Sequence, residues 1–157
     1  MQSFLFVCLG NICRSPLAEG IARKIAEDRA LGIVVDSSGT GDWHIGEPPC
    51  RNSIKVAKEH NIDISSLRAR VVQQEDFERF EYIVALDESN LQTLQKMGAK
   101  NVVKLGDYGY KGEDIPDPYF FNGYEGFEKV FQMIEVCVNE LISVECFNKE
   151  DENENSK

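Results

Sequence analysis

Cys8 and Arg14 stand six positions apart in the run Val7-Cys8-Leu9-Gly10-Asn11-Ile12-Cys13-Arg14-Ser15-Pro16. Their types suit an attack of sulfur on phosphorus. A thiolate is a strong nucleophile. A free thiol titrates near ~8.5, but a helix N-terminus and a nearby cation lower that by several units. Arginine adds a planar fork that grips two phosphate oxygens at once. Where a strand turns into a helix, the backbone N–H groups of Leu9 to Cys13 can face the same anion. Together they would hold three non-bridging oxygens as charge redistributes in the transition state. Gly10 permits a turn that a side chain would block. Pro16 suits a first helical turn, where its missing N–H costs nothing. Asn11 and Ser15 read as loop supports, with Ser15 able to donate to the Cys8 sulfur. A bare C-x5-R spacing could equally be a buried cysteine beside a surface arginine. The Gly, Asn, Ser and Pro around it turn the reading toward a phosphate-binding loop.

Expelling an oxygen that leaves as a strong base, as a phenolate would, needs a proton donor. Asp87, Asp107, Asp114 and Asp117 are the candidates. Local grounds favour Asp117. Pro116 and Pro118 stiffen the chain around it, and a residue before proline is held extended. Tyr119, Phe120 and Phe121 follow and would shield it from water. An Asp-Pro pair is also an ordinary turn, so the residues alone leave this choice open. Trp43 and Tyr119 could wall a slot for a flat aryl phosphate, too deep for short phosphoserine. Trp43 reads alternatively as a satellite core residue. His44, its neighbour, reads as tuning binding, and His60 as a surface residue near a helix end. No metal is expected: Cys8 and Cys13 are spaced C-x4-C, but no second cysteine pair follows and the chain has 2 histidines.

Val7 to Pro16 resembles, over all ten residues, the active-site loop of the low-molecular-weight protein tyrosine phosphatases. Asp36-Ser37-Ser38-Gly39-Thr40, Gly46-Glu47-Pro48-Pro49, Glu75-Asp76-Phe77, Leu86-Asp87-Glu88-Ser89-Asn90 and Asp117-Pro118-Tyr119 resemble family segments in family order, so the likeness spans Phe4 to Phe147. It implies hydrolysis of phosphotyrosine and small aryl phosphates through a phosphocysteine, with inorganic phosphate as product and no cofactor. In that reading Cys8 is the nucleophile, and Arg14 with Leu9, Gly10, Asn11, Ile12, Cys13 and Ser15 holds the phosphate. Asp117 is the general acid and then the base. Ser37 is the partner of Asn11, and Cys13 forms a reversible disulfide with Cys8 that shields it from over-oxidation. The family often braces Asn11 with a histidine beyond the segment matching Asn61 to Ser65, where this chain has Ser66-Leu67-Arg68. Arsenate reductases of the same fold need two further cysteines after the third strand, and Tyr82 to Leu105 has none. Arginine phosphatases carry Thr where Ile12 stands. A phosphotyrosine-binding module with damaged catalysis is the rival outside enzymes.

The elements that must position these residues can be read from periodicity. Phe4 to Leu9 is an apolar strand, and Pro16 to Arg29 a helix with Leu17, Ile21 and Ile25 four apart. Gly32 breaks that helix, Ile33 to Asp36 is a second strand, and Ser37 to Gly41 a polar loop. Strands joined by a crossover helix should be parallel. Arg51 to His60 reads as a helix, Asp63 to Val72 as irregular, and Glu75 to Phe80 as a helical turn. Tyr82 to Leu86 is a third strand. Asp87 is placed to cap a helix from Glu88 to Met97 that Gly98 ends, with Leu91 and Leu94 facing the core. Val102 to Leu105 is a fourth strand. Gly106 to Gly123 is a loop long enough to be functional. Tyr124 to Phe147 is the longest helix, with Phe127, Val130, Phe131, Ile134, Val138, Leu141 and Ile142 on one face. The sum is an α/β fold, a four-stranded parallel open sheet flanked by helices, flavodoxin-like in arrangement, the class that the resemblance also implies. Such sheets bind ligands beyond the strand C-termini, where Cys8 falls.

The chain has 157 residues, expected to form one domain over 1–148 and an acidic, frayed tail over 149–157. A net charge of −10 argues against nucleic-acid partners and anionic membranes. Met1-Gln2-Ser3 carries no basic leader region, and no stretch is long and apolar enough to span a membrane. Five cysteines without a regular framework fit a reducing, cytoplasmic compartment. Cys137 reads as core, and Cys50 and Cys146 show no pairing logic. A monomer acting on phosphotyrosyl proteins or peptides is the expectation.

Overall fold

A computed structural model describes residues 2–121 and 123–148. Four strands form one parallel sheet in the order β2-β1-β3-β4: β1 Ser3–Cys8, β2 Val34–Gly39, β3 Tyr82–Ala85 and β4 Val102–Lys104. Five helices accompany them: α1 Arg14–Asp28, α2 Arg51–Glu59, α3 Asp76–Arg79, α4 Glu88–Lys96 and α5 Glu125–Ile142. After β1 the chain builds β2 on one side, and it later returns to place β3 on the other. The loops leaving β1 and β3 therefore diverge, opening a crevice at the strand C-termini.

Alternation along β1 feeds two cores. Phe4, Phe6 and Cys8 point to the side covered by α1, α2 and α5, where Phe127, Phe131 and Ile134 are buried. Leu5 and Val7 point to the other side, with Phe80, Ile83, Ala85 and Leu94. A strand buried on both faces has to be a continuous apolar run, as Phe4 to Val7 is. All seven apolar positions expected on one face of α5 are buried, and so is Cys137. Leu94 is fully buried while Leu91 packs part-exposed against the second core. Asp87 caps α4, accepting from Asn90 N at 2.8 Å, and Gly98 ends it at a φ of +100°.

Four expectations change. Strand β2 extends to Gly39, pairing Ser37, Ser38 and Gly39 with Phe6, Val7 and Cys8; the supposed polar loop is strand, with Ser37 and Ser38 both buried and the Ser37 hydroxyl bonded to Asn11 and Glu19. A Cβ at Gly39 would lie 2.8 Å from the Leu9 carbonyl oxygen, so glycine lets β2 close on the loop after β1. The long helix changes to a π-helical turn over Ser143–Asn148, and Gly106 to Gly123 contains 3-10 turns at its two ends, Leu105–Asp107 and Pro118–Phe120. His60 is not a plain surface residue. It stacks on Phe131 with centroids 4.0 Å apart and reaches Glu128 Oε1 at 2.8 Å, because the end of α2 abuts α5. The expected acidic tail, 149–157, lies outside the described residues.

Candidate active site

The loop between β1 and α1 is wound around Asn11. This residue takes the left-handed region at a φ of 57°, uncommon without glycine. Its side chain, 3% exposed, fixes that turn with three bonds. Nδ2 donates to Ser15 Oγ at 2.9 Å and to Ser37 Oγ at 3.0 Å, and Oδ1 accepts from Arg70 N at 3.0 Å. Ser37 is thus the expected partner. Ser37 Oγ in turn donates to Glu19 Oε1 at 2.6 Å, and Arg23 holds the other oxygen of Glu19 at 2.8 Å. Burial pushes the Glu19 carboxyl above its ordinary pKa, with Ser37 and Arg23 pulling partly back. No histidine serves here; Glu19 and the backbone of Arg70 do the bracing.

Cys8 ends β1, with its Sγ 3.0 Å from Ser15 Oγ. Since Ser15 Oγ already accepts from Asn11, its own hydrogen is free to point at that sulfur; the alternative acceptor, Ser38 O, is farther at 3.4 Å. Arg14 opens α1 and is almost buried. Its Nη1 donates to Asp87 Oδ2 at 2.7 Å and to Ile115 O at 2.9 Å. Burial alone would lower the guanidinium pKa, but Cys8, Asp87 and Asp117 together hold it above its ordinary value. One edge of the fork is thereby anchored, and Nε and Nη2 remain for a ligand.

The four candidate acids separate. Asp87 has both oxygens engaged, Oδ2 by Arg14 and Oδ1 by the α4 cap. Asp114 accepts from Lys104 Nζ at 2.8 Å and from Glu88 N at 2.9 Å, and Lys104 holds its carboxyl below the usual range. Asp107 does not line the pocket that contains Cys8 and Arg14. Asp117 does, and among the described residues only its Oδ1 is bonded, accepting from Tyr119 N at 2.9 Å. The pocket is walled by Trp43 and Tyr119, 67% and 64% exposed, with Leu9, Ile12 and His44 around them. Trp43 is therefore no core residue; its ring lies over Gly41, where a Cβ would come within 1.9 Å of Cζ3. Tyr119 stands edge-on to Phe127 at 5.3 Å. His44 pairs with Glu47 at the rim.

Three neighbours were missed. Cys13 Sγ lies 2.9 Å from Cys50 Sγ, although Cys50 offered no pairing signal in sequence. Spacing could have found Glu19, which follows Ser15 by four and precedes Arg23 by four on α1. Nothing in the sequence could have found Arg70, which serves Asn11 through its backbone. Among the described residues no cluster of His, Cys, Asp or Glu is arranged to hold a metal ion, and no helix is long and apolar enough to cross a membrane.

Residues 3–153 match the family described as low molecular weight phosphotyrosine protein phosphatase. A curated relative, the low molecular weight protein-tyrosine-phosphatase YfkJ of Bacillus subtilis (strain 168), is 40% identical over 151 residues, covering 91% of this chain and 95% of that one. Its crystal structure superposes with a TM-score of 0.84, at 38% identity and over 92% and 95% of the two chains. A product-state mimic of a protein tyrosine phosphatase from Entamoeba histolytica gives 0.83, at 34% identity over 90% and 94%. A Drosophila arginine phosphatase gives 0.86, at 33% identity over 93% and 98%.

Proposed function

The chain belongs to the low molecular weight phosphotyrosine protein phosphatase family, and on that premise we propose that it hydrolyses phosphotyrosine and small aryl phosphates through a phosphocysteine. The observation that carries this reading is the convergence of Cys8, Arg14 and Asp117 on one pocket. In the first step the Cys8 thiolate attacks phosphorus, the P–O bond to the phenol breaks, and Asp117, protonated, gives its proton to the leaving oxygen. The free edge of Arg14 and the N–H groups of the loop hold the three equatorial oxygens. In the second step Asp117, now a carboxylate, takes a proton from water. That water attacks phosphorus, the S–P bond breaks, and inorganic phosphate leaves. Ser15 donates to the sulfur as it departs with its electron pair, 3.0 Å away.

Trp43 and Tyr119 sandwich an aryl ring above this centre, which selects phosphotyrosyl proteins or peptides over alkyl phosphates. A phosphoarginine reading has one structural relative behind it, but Ile12 stands in the pocket where arginine phosphatases carry Thr. A binding module with lost catalysis does not suit a pocket that keeps nucleophile, anion clamp and acid. We place the protein in the cytoplasm as a monomer, consistent with five cysteines in no regular disulfide framework.

The test is metal-free turnover of phosphotyrosine, an alkyl phosphate and phosphoarginine, followed by acid-quench trapping of label from [32P]-phosphotyrosine on the enzyme. The expected result is selective aryl turnover with phosphate bound at Cys8. Label on another residue, or a preference for phosphoarginine, would overturn the reading.

A further inference from the structure

We propose that Cys13 and Cys50 form a redox-active dithiol, a second sulfur site beside the catalytic pocket, which a hydroperoxide closes to a disulfide between the phosphate-binding loop and α2 while Cys8 stays a free thiol. The two sulfurs are 2.9 Å apart. A disulfide needs about 2.05 Å, so they have under an ångström to travel. The backbones that carry them are already joined: Cys50 N donates to Ile12 O at 2.8 Å, and Ser53 Oγ donates to Cys13 O at 3.1 Å. Closure asks for side-chain rotation and little else. The nucleophile is differently engaged, its sulfur facing Ser15 at 3.0 Å.

The pair is also chemically asymmetric. Cys50 is the N-cap of the nine-residue helix α2, where unpaired N–H groups favour a negative charge. Cys13 donates its S–H to Cys50, which lies 3.1 Å from Ser53 Oγ and within reach of the Tyr119 hydroxyl. The hydrogen bond from Cys13, ahead of the contacts with Ser53 and Tyr119, brings the Cys50 thiol down to about 6, and the same contact pushes Cys13 up. Cys50 is thus the sulfur that meets the oxidant. Its thiolate attacks the O–O bond, an alcohol or water leaves, and Cys50 becomes a sulfenic acid. The Cys13 sulfur then attacks that sulfur, the S–O bond breaks and water leaves. Two thiols and one hydroperoxide give one disulfide, one alcohol and one water, and the two electrons come one from each sulfur. A dithiol reductant reverses the reaction.

This site competes with the Cys8–Cys13 pairing that the family resemblance implies, since Cys13 cannot serve both. It does not depend on the phosphatase reading, because the readout is a mass and not a rate. The experiment is brief exposure to limiting hydrogen peroxide, alkylation of remaining thiols, digestion and peptide mapping of the parent, Cys8→Ser and Cys50→Ser chains. We expect a Cys13–Cys50 linked peptide in the parent with Cys8 alkylated, the same linkage at an unchanged rate in Cys8→Ser, and its complete loss in Cys50→Ser. The rate of closure should rise with pH and level off above about 6, where an ordinary thiol keeps rising toward ~8.5. A Cys8–Cys13 peptide as the only linkage, or failure of Cys8→Ser to cross-link, would overturn the proposal.

Discussion

The phosphate-binding loop and the slot walls above it are built in opposite ways. In the loop Asn11, Arg14 and Ser15 are buried and their side chains bonded. The turn is over-determined: Asn11 ties it to β2 and to the chain at Arg70, and Arg14 ties it to the loops after β3 and before Asp117. The walls are determined by little. Trp43 and Tyr119 are mostly exposed, and Phe120 beside them is 83% exposed. A rigid floor with loose walls separates two tasks. Geometry at phosphorus has to be held before the transition state arrives, whereas contacts to the rest of a substrate can be adapted. The floor should therefore answer to substitution through the rate of chemistry, and the walls through binding.

The largest break in that comparison is Cys8→Ser, which should bring turnover to background while circular dichroism and thermal melting stay near the parent. A serine hydroxyl is not ionised at neutral pH, and the volume barely changes. Hydrolysis near the parent rate in a pure sample would take the nucleophile's role from Cys8. Arg14→Lys comes next. An ammonium cannot anchor to Asp87 and Ile115 and still offer a fork to phosphate, so kcat should fall by well over tenfold. A loss below about tenfold, roughly 1.4 kcal/mol, would mean that Arg14 does not grip the phosphoryl group.

Asp117 lines the pocket with the walls and is proposed to share the chemistry of the floor, so Asp117→Asn sharpens the contrast. A phenol like tyrosine, titrating near ~10, needs its proton on leaving, and an activated nitrophenol needs it far less. Burst kinetics isolates phosphoenzyme formation from the water step, in which either substrate needs the base. The burst rate constant should fall strongly with phosphotyrosine and weakly with nitrophenyl phosphate. Equal losses would remove the general-acid role from Asp117. For Trp43→Ala the expected effect is smaller and of another kind: KM for phosphotyrosine up by about two- to tenfold, from lost stacking worth roughly 0.5–1.5 kcal/mol, with kcat within about twofold and alkyl phosphates unaffected. A fall in kcat alone would mean that the wall helps to place the phosphorus.

The same division explains what could be read from sequence. The floor, where Asn11, Arg14 and Ser15 are buried beside Cys8, was legible as a loop because Cys8, Arg14 and the glycine, asparagine and serine between and after them sit in one short run. The four strands were legible from apolar runs, except the end of β2, where Ser37 and Ser38 read as loop. Both are polar, but the strand buries them, and the Ser37 hydroxyl meets Asn11 and Glu19, a pairing no window of local sequence contains. The meeting of Cys50 with Cys13, across 37 positions, depends on α2 docking beside the loop, which is tertiary. Asp87 was legible as a helix cap and not as the anchor of Arg14, because its second oxygen finds a partner 73 positions away.

Glu19 gives the finest test of the floor, since it touches neither substrate nor sulfur and acts through Ser37 and Asn11. Glu19 is 2% exposed and its carboxyl pKa is raised, chiefly by burial. A carboxyl whose folded pKa lies above its unfolded one favours the fold while protonated. That contribution is complete below the unfolded value near ~4.3 and is lost as pH rises through the higher folded value. Glu19→Gln removes the titration and keeps an oxygen that can accept from Ser37. The variant should thus lose stability less steeply than the parent as pH climbs from about 4 toward 7. Urea midpoints across that range, taken as the difference between the two proteins, isolate this group from every other one. The kcat of Glu19→Gln should stay within about twofold of the parent, because the bond to Ser37 survives and Asn11 keeps its turn. Parallel stability curves would show that burial does not govern Glu19. A large drop in kcat with a normal fold would show that its charge, and not only its hydrogen bond, sets the geometry of the loop.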